Sequence, residues 1–295
     1  MTSTSVDLSL ALPPRRTFQS SLKRFLKRSP LAVAGVLIVV ITILIALTSQ
    51  WITPYNPIQP NLDVKLTAPS LQHLLGTDDM GRDILSRILA GTRVSLTSAL
   101  IIISVSMIFG SIVGLIAGYM GGWMDDLLMR MTDIFLAFPA LILAMAISAT
   151  LGPSLQNALI AVASVWWPWY ARLMRGQVMS VRNKDYVLSA RALGVPPMRV
   201  ALRHILPNTL GPLLVQATLD VGNTILLTAS LSFIGLGAQP PTPEWGSMVS
   251  VGRLYLLSYW WVPTMPGFAI LLSVLGFNLL GDALRDFTDV RERSL

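Results

Sequence analysis

The chain has 295 residues, of which 53% are hydrophobic and 13% charged, with a formal net charge of +7 and no cysteine. A soluble fold could not cover that much apolar side chain, so lipid must do so, and the chain reads as an all-α polytopic membrane protein. The missing cysteines exclude a disulfide framework, a thiolate metal site and a cysteine nucleophile, and the basic residues fall between apolar runs rather than on the soluble face that nucleic-acid binding needs.

In chain order, residues 1–29 are rich in Ser, Thr and Pro and carry no apolar face before Leu22, which predicts a loosely ordered N-terminal segment. Six crossings follow, because a bilayer core takes about 20 apolar residues as helix. The first, 30–50, is an anchor; its length and the lack of a small-x-small site close behind it argue against a cleaved signal peptide. Residues 51–93 form a loop in which Met80 to Arg93 is expected to be a short helix, with Asp83 and Arg87 four apart on a solvated face. Five further crossings occupy 94–284. The second lies at 94–119, and the fifth and sixth at 208–231 and 263–281. Between them a charge-free run, 134–171, is too long for one crossing, so Gly152-Pro153 divides it into the third and fourth. Residues 285–295 form a tail.

Lysine and arginine in short loops stay on the cytoplasmic side. Seventeen of the 22 precede the first crossing, fill the second loop and loop 172–207, or follow the last crossing; Lys65, Arg82, Arg87, Arg93 and Arg253 lie on the other side. Both termini and loop 172–207 are therefore expected in the cytoplasm, with 51–93 and 233–262 outside. The latter loop holds Trp245, Tyr255, Tyr259, Trp260 and Trp261, a density expected of an interfacial segment.

Within loop 172–207 the stretch Asp185 to Asn208 is polar and basic. Asp185 to Leu193 can form a short helix, Gly194 suits a left-handed cap, and Pro196-Pro197 stops the helix, so a second one starts near Met198. The result is a bent helical elbow. From spacing alone it could equally lie on anionic headgroups or be gripped by a partner, with Tyr186, Val187, Ala190 and Leu193 as its apolar members.

The residues offer little to an enzyme. His73 and His204 are expected on opposite sides of the membrane, and Gly76 and Gly81 have phosphate-loop spacing but are followed by Arg82-Asp83 instead of Lys and Ser/Thr. No nucleophile elbow or HExxH occurs. Asp220 is the one acid well inside a crossing, and an ionisable group there is a functional candidate. Gln216, Asp220, Asn223 and Thr224 share a stripe that could face a wet path or hydrogen-bond to neighbouring helices.

The elbow's Ser189-Ala190-Arg191-Ala192-Leu193-Gly194, followed by Leu206-Pro207, resembles the cytoplasmic signature loop of permease subunits of ABC importers. Gly76 to Arg87, Ala117-Gly118-Tyr119 with Gly121-Gly122-Trp123, Leu231 to Gly246, and Phe277 to Asp286 resemble the dipeptide/oligopeptide (peptide/nickel) permease group. The resemblance implies a type I importer permease fold in a bacterial or archaeal plasma membrane. It also implies a heterodimer with a second homologous permease, one or two cytoplasmic ATPases that bind ATP and magnesium, and an extracytoplasmic solute-binding protein. No cofactor is expected in this chain. ATPase coupling would fall to Asp185, Tyr186, Leu188, Ser189, Ala190, Arg191, Ala192, Leu193, Gly194 and Pro207. The binding protein would dock near Asp83, Arg87 and Arg253. At Leu188 the chain departs from the group's usual Glu, and Asp185, three positions earlier, could supply the lost acid. The implied cargo is di- or oligopeptides, with nickel or another small solute on the same machinery as the alternative. A transporter driven by an ion gradient is the rival, and Asp220 alone is a poor relay for one.

Overall fold

The computed structural model describes residues 29–292, the side chains of 288–292 excepted. The expectations for the stretch up to Arg28, and for the side chains of Arg291 and Arg293, fall outside the described residues. Helix α1, Pro30–Ile52, begins with a proline where no backbone N–H is needed. Its 23 residues reach about 35 Å at 1.5 Å per residue, enough for a bilayer core. Val39 and Ala46 pack inward, while Leu37, Leu44 and Leu47 face outward.

Residues 53–83 contain one regular element among those described, a 3-10 turn at Leu62–Val64. The helix expected over Met80 to Arg93 begins at Ile84 and is not a separate short element. Instead α2 runs unbroken over Ile84–Met120, with Asp83 as its cap accepting from Ser86 N at 2.8 Å. The second crossing thus starts ten residues earlier than 94, because nothing in Ile84 to Arg93 breaks a helix.

Beyond Gly121, α3 (Gly122–Leu136) and α4 (Ala140–Leu151) meet at 85°. Pro139 caps the second of them, and the residue before a proline is driven out of helical geometry. With 12 residues α4 spans about 18 Å, too short for a full crossing, so the third expected crossing is a bent pair. Gly152-Pro153 breaks the run where expected. Helix α5, Leu155–Val181, then continues ten residues past Ala171, carrying Arg172 and Arg175 within it.

The elbow follows as α6 (Asp185–Ala192) and α7 (Pro197–Val200), and α7 passes through a π-turn, Ala201–Ile205, into α8 (Leu206–Ile234). Helix α9 is Trp245–Gly252, and the last helix, α10, is Trp261–Glu292. Among the described residues four helical stretches are long and apolar enough to cross a membrane, Pro30–Ile52, Ile84–Met120, Pro197–Ile234 and Trp261–Phe287, and the bent pair, taken as one span, makes a fifth. At 27 residues α5 is long enough but less apolar, with Arg172 and Arg175 in its second half. It is instead the most extensively packed partner of α2.

That packing follows from Gly110, Gly114 and Gly118, one helical turn apart on α2, which bring its backbone against Trp167, Ala171 and Val178 of α5. The Ser106 hydroxyl donates to Ala163 O across the same seam at 3.2 Å. The largest core cluster joins α1, α2, α5, α8, α9 and α10 through Val39, Ile103, Tyr170, Ile225, Trp245 and Phe277. A second cluster holds the elbow.

Candidate functional site

The elbow is built from a helix that cannot continue and a bundle that holds one of its faces. Gly194 takes φ +74°, its N–H donates to Arg191 O at 2.9 Å, and Val195 N–H donates to Ala190 O at 3.1 Å. That pair of bonds is the Schellman ending, which only glycine adopts without steric cost. Val187 and Ala190, one turn apart, bury against Met174, Val178 and Val181 of α5 and Ile205 and Leu213 beyond the bend. The other predicted coupling residues of α6, Asp185, Tyr186, Leu188, Ser189, Arg191 and Ala192, are exposed, as are Leu193, Gly194 and Pro207. Tyr186, Leu188, Leu193 and Met198 leave a large apolar area uncovered. Of the four apolar members expected to meet a partner, Val187 and Ala190 are taken by the subunit itself.

Bracing ties the elbow to the rest of the bundle. The Arg191 guanidinium stacks over the Tyr119 ring at 5.0 Å, and Arg182 Nη1 donates to Gly118 O at 2.8 Å, both at the end of α2. Arg175 grips Asp125 of α3 through two bonds of 2.5 and 2.6 Å, and Arg172 reaches Asp133 at 2.6 Å. The π-turn has a local cause: Pro207 lacks an N–H, so the ladder around it loosens, and Leu206 N–H reaches back five residues to Ala201 O.

The polar stripe on α8 divides. Asn223 is exposed and Gln216 half-buried, whereas Asp220 and Thr224 lie inside this subunit's own bundle at 4% and 0% exposure. Gln216 Nε2 donates to Asp220 Oδ1 at 3.1 Å. Asp220 therefore does not line an open path in this conformation.

Around loop 53–83 the expected Asp83–Arg87 surface pair does not form, and both residues are buried. Asp83 is occupied by its capping bond, by the Ser86 hydroxyl at 2.7 Å and by His73 Nδ1 at 3.0 Å. Arg87 donates to Pro57 O at 2.7 Å and Pro241 O at 3.3 Å, and lies 3.4 Å from Asp78. Helical spacing placed these two on one face, but Asp83 precedes the helix and loop 53–83 covers Arg87. Of the three expected docking residues only Arg253 is exposed, its guanidinium over the Phe233 ring at 5.2 Å.

Residues 110–294 match the family described as "Binding-protein-dependent transport system inner membrane component", and residues 17–69 match the "N-terminal TM domain of oligopeptide transport permease C". The chain belongs to this permease family. It is 48% identical to the dipeptide transport system permease protein DppC of Alkalihalophilus pseudofirmus over 91% of this chain and 88% of that one. It is 44% identical to the probable D,D-dipeptide transport system permease protein DdpC of Escherichia coli K12, over 97% and 96%. Among solved structures, the inward-facing MetNI methionine ABC transporter shares the fold at a TM-score of 0.56 and 19% identity, covering 69% of this chain and 97% of that one. The permease is accordingly a multi-pass plasma-membrane transport component and not an enzyme.

Sequence reasoning passed over two parts of the permease. Asp78 accepts from Arg82 Nε at 2.7 Å and from the backbone of Met80 and Arg82, tying the Gly76 to Gly81 turn into a buried charged knot. The signal was Asp78 and Arg82 at a spacing of four. Glu244 caps α9, its two oxygens accepting from Gly246 N at 2.9 Å and Ser247 N at 2.8 Å. Burial pushes its carboxyl above the usual range, while those two amides and Ser232 pull the other way. Glu244→Ala should lower the thermal midpoint of the purified subunit, since losing a cap costs about 1–2 kcal/mol and two buried amides are orphaned as well. An unchanged melting curve would mean that α9 is held by its packing alone.

Proposed function

We propose that this permease forms half of the translocation path of an ATP-driven importer for di- or oligopeptides and is worked through its elbow. In this reading the chain crosses the membrane six times, with both termini and the elbow in the cytoplasm. A second homologous permease completes the path, and one or two cytoplasmic ATPases supply ATP and magnesium chemistry. An extracytoplasmic binding protein delivers the solute, and Arg253 is a point it could touch. The observation that carries the reading is the division of α6: Val187 and Ala190 dock on α5, while Tyr186, Leu188, Leu193 and Met198 stay uncovered. A short helix anchored on one side and apolar on the other passes a push to the bundle, whereas a loose loop would absorb it. The names of the dipeptide permease relatives support the peptide cargo. Asn223 and Gln216 are the members of the α8 stripe that could meet a passing amide or ammonium group.

The test is reconstitution of this chain with a homologous second permease, ATPases and a solute-binding protein from the same genome. Dialanine uptake into proteoliposomes should require ATP on the ATPase side and binding protein on the other. A cysteine placed at Leu188 should react with impermeant reagent only from the ATPase side. Uptake by this chain alone, or labelling of that cysteine from the opposite side, would overturn the reading. Asp185 and Leu188 are both exposed and three apart on one helix, consistent with Asp185 replacing the acid expected at position 188. Asp185→Asn should then lower stimulated ATP hydrolysis about three- to tenfold, the range of a charge-assisted hydrogen bond partly exposed to water. Unchanged stimulation would remove Asp185 from the contact.

A further inference from the structure

Two arginines of α5 reach two aspartates of α3, and the two ion pairs are built differently. Arg175 holds both oxygens of the Asp125 carboxylate, at 2.5 and 2.6 Å. Arg172 holds Asp133 through one bond of 2.6 Å, from Nη2 to Oδ1, and the two side chains are 50% and 56% exposed. A guanidinium has five N–H donors and a carboxylate about four acceptor positions, so a single bond leaves most of each group unused. The Arg175 pair is a brace between helices, whereas the Arg172 pair has room for a third group.

Packing sets the level of the open pair along the bundle. The Ala171 carbonyl lies against Gly114 of α2, and α2 continues six residues further, to Met120, a rise of about 9 Å. From Val94 to Met120 that helix carries no charged residue. Arg172 therefore sits beside the apolar part of α2, well short of its end. Trp169, Arg172, Gly176 and Met179, three and four apart, form an exposed face of α5, and nothing lies within 4 Å of a Cβ placed at Gly176. Charged groups at such a level are costly against lipid and face a bundle interior or a water-filled cavity.

We propose that this face of α5 lines the half of the path nearer the elbow, and that the Arg172–Asp133 pair is a transit contact for a zwitterionic solute. The solute's carboxylate meets the unused N–H groups of Arg172, and its ammonium meets the unused oxygen of Asp133. A pair open at both signs suits a free peptide, which carries one charge of each sign at its ends. It does not suit a metal cation, which Arg172 repels. The inference rests on the reading of this chain as a path-forming subunit of an importer.

The experiment uses the complete importer in proteoliposomes and reads dialanine taken up per ATP hydrolysed. Arg172→Gln and Asp133→Asn should each lower that figure about tenfold, the worth of one charge-assisted hydrogen bond. The double variant should lower it about a hundredfold, because each group meets a different end of the solute and the losses multiply. A brace behaves otherwise: both singles remove one interaction, the double is no worse than the stronger single, and the loss falls on the yield of complex. That pattern would sink the transit contact, as would unchanged uptake per ATP in both singles. Since the chain has no native cysteine, Asp133→Cys tests the surroundings. It should react with an impermeant thiol reagent admitted on the ATPase side, and no reaction in the assembled importer would mean that lipid or the second permease covers this face. Should the double variant not assemble, the two singles and the label decide. Wild-type uptake with unaffected variants overturns the contact alone, whereas wild-type uptake that is absent or needs no ATP overturns the importer reading and the contact with it.

Discussion

Gly114→Leu should leave almost no assembled importer, while Gly176→Ala on the facing helix should assemble as the wild type. A Cβ at Gly114 would strike the Ala171 carbonyl oxygen and come within 2.8 Å of Met174 Cβ and 2.9 Å of Arg175 N. At Gly110 it would come within 2.7 Å of Tyr170 Cβ. These neighbours are mostly backbone, which cannot rotate aside as a flexible side chain can, so α2 and α5 must separate. Overpacking a core costs about 1–3 kcal/mol where side chains can adjust, and a leucine driven into backbone lies at or above the top of that range. Separation also breaks the Ser106 and Arg182 bonds across the seam and pulls at the floor on which α6 rests. Nothing lies within 4 Å of a Cβ at Gly176, and alanine there favours the helix by about 1 kcal/mol. Copurification of an ATPase with a tagged permease measures both variants, with at least a tenfold loss expected for the first. Normal recovery of Gly114→Leu would mean that α2 and α5 do not touch through these glycines.

The glycines illustrate which parts of the fold were legible in the sequence. Apolar runs bounded by charge located the four long apolar helices, and Gly152-Pro153 and Gly194 marked breaks that local backbone sterics dictate. Those features depend on nearest neighbours along the chain. The division of 134–171 was only half visible, because the 85° bend before α4 comes from Pro139 acting within an apolar stretch where charge offers no punctuation. Helix α5 ran past its expected end because Arg172 and Arg175 are neutralised by Asp133 and Asp125 on α3, partners some 40 and 50 residues distant. The same limit explains loop 53–83 and the start of α2. Asp83 and Arg87 have the spacing of a surface pair, yet each is claimed by loop 53–83 or the Pro240 turn, contacts that no local pattern announces.

The candidate site divides along the same line. That an elbow exists, and where it bends, followed from Gly194 and Pro196-Pro197. Which of its apolar residues face inward did not, since an eight-residue helix with Tyr186, Val187, Leu188, Ala190 and Leu193 can be turned either way. The orientation is settled by the volume beside Met174 and Val178, which accepts Val187 and Ala190. Asp220 belongs here too: the stripe on α8 was readable at spacings of three and four, but that Asp220 and Thr224 are buried while Asn223 is exposed required the rest of the bundle to be in place.

The two faces of α6 should fail in different ways. Val187→Asp should cost the subunit its fold, while Leu193→Asp should cost coupling alone. Val187 is wholly buried among apolar side chains, and a carboxylate driven into that cluster carries a desolvation penalty of about several kcal/mol. Little folded subunit should therefore survive detergent extraction. Leu193 is 84% exposed at the end of the helix, so aspartate costs the isolated subunit almost nothing. In the assembled importer the same residue would be covered by an ATPase. The change then forfeits the roughly 1.5–3 kcal/mol of burying a leucine and places a charge in the contact. Each 1.4 kcal/mol is a factor of ten, so stimulated ATP hydrolysis should fall tenfold or more while the melting curve of the subunit is unchanged. Full stimulation in Leu193→Asp would show that force enters the bundle elsewhere. Loss of folded protein in both variants would show that the exposed face supports the subunit itself.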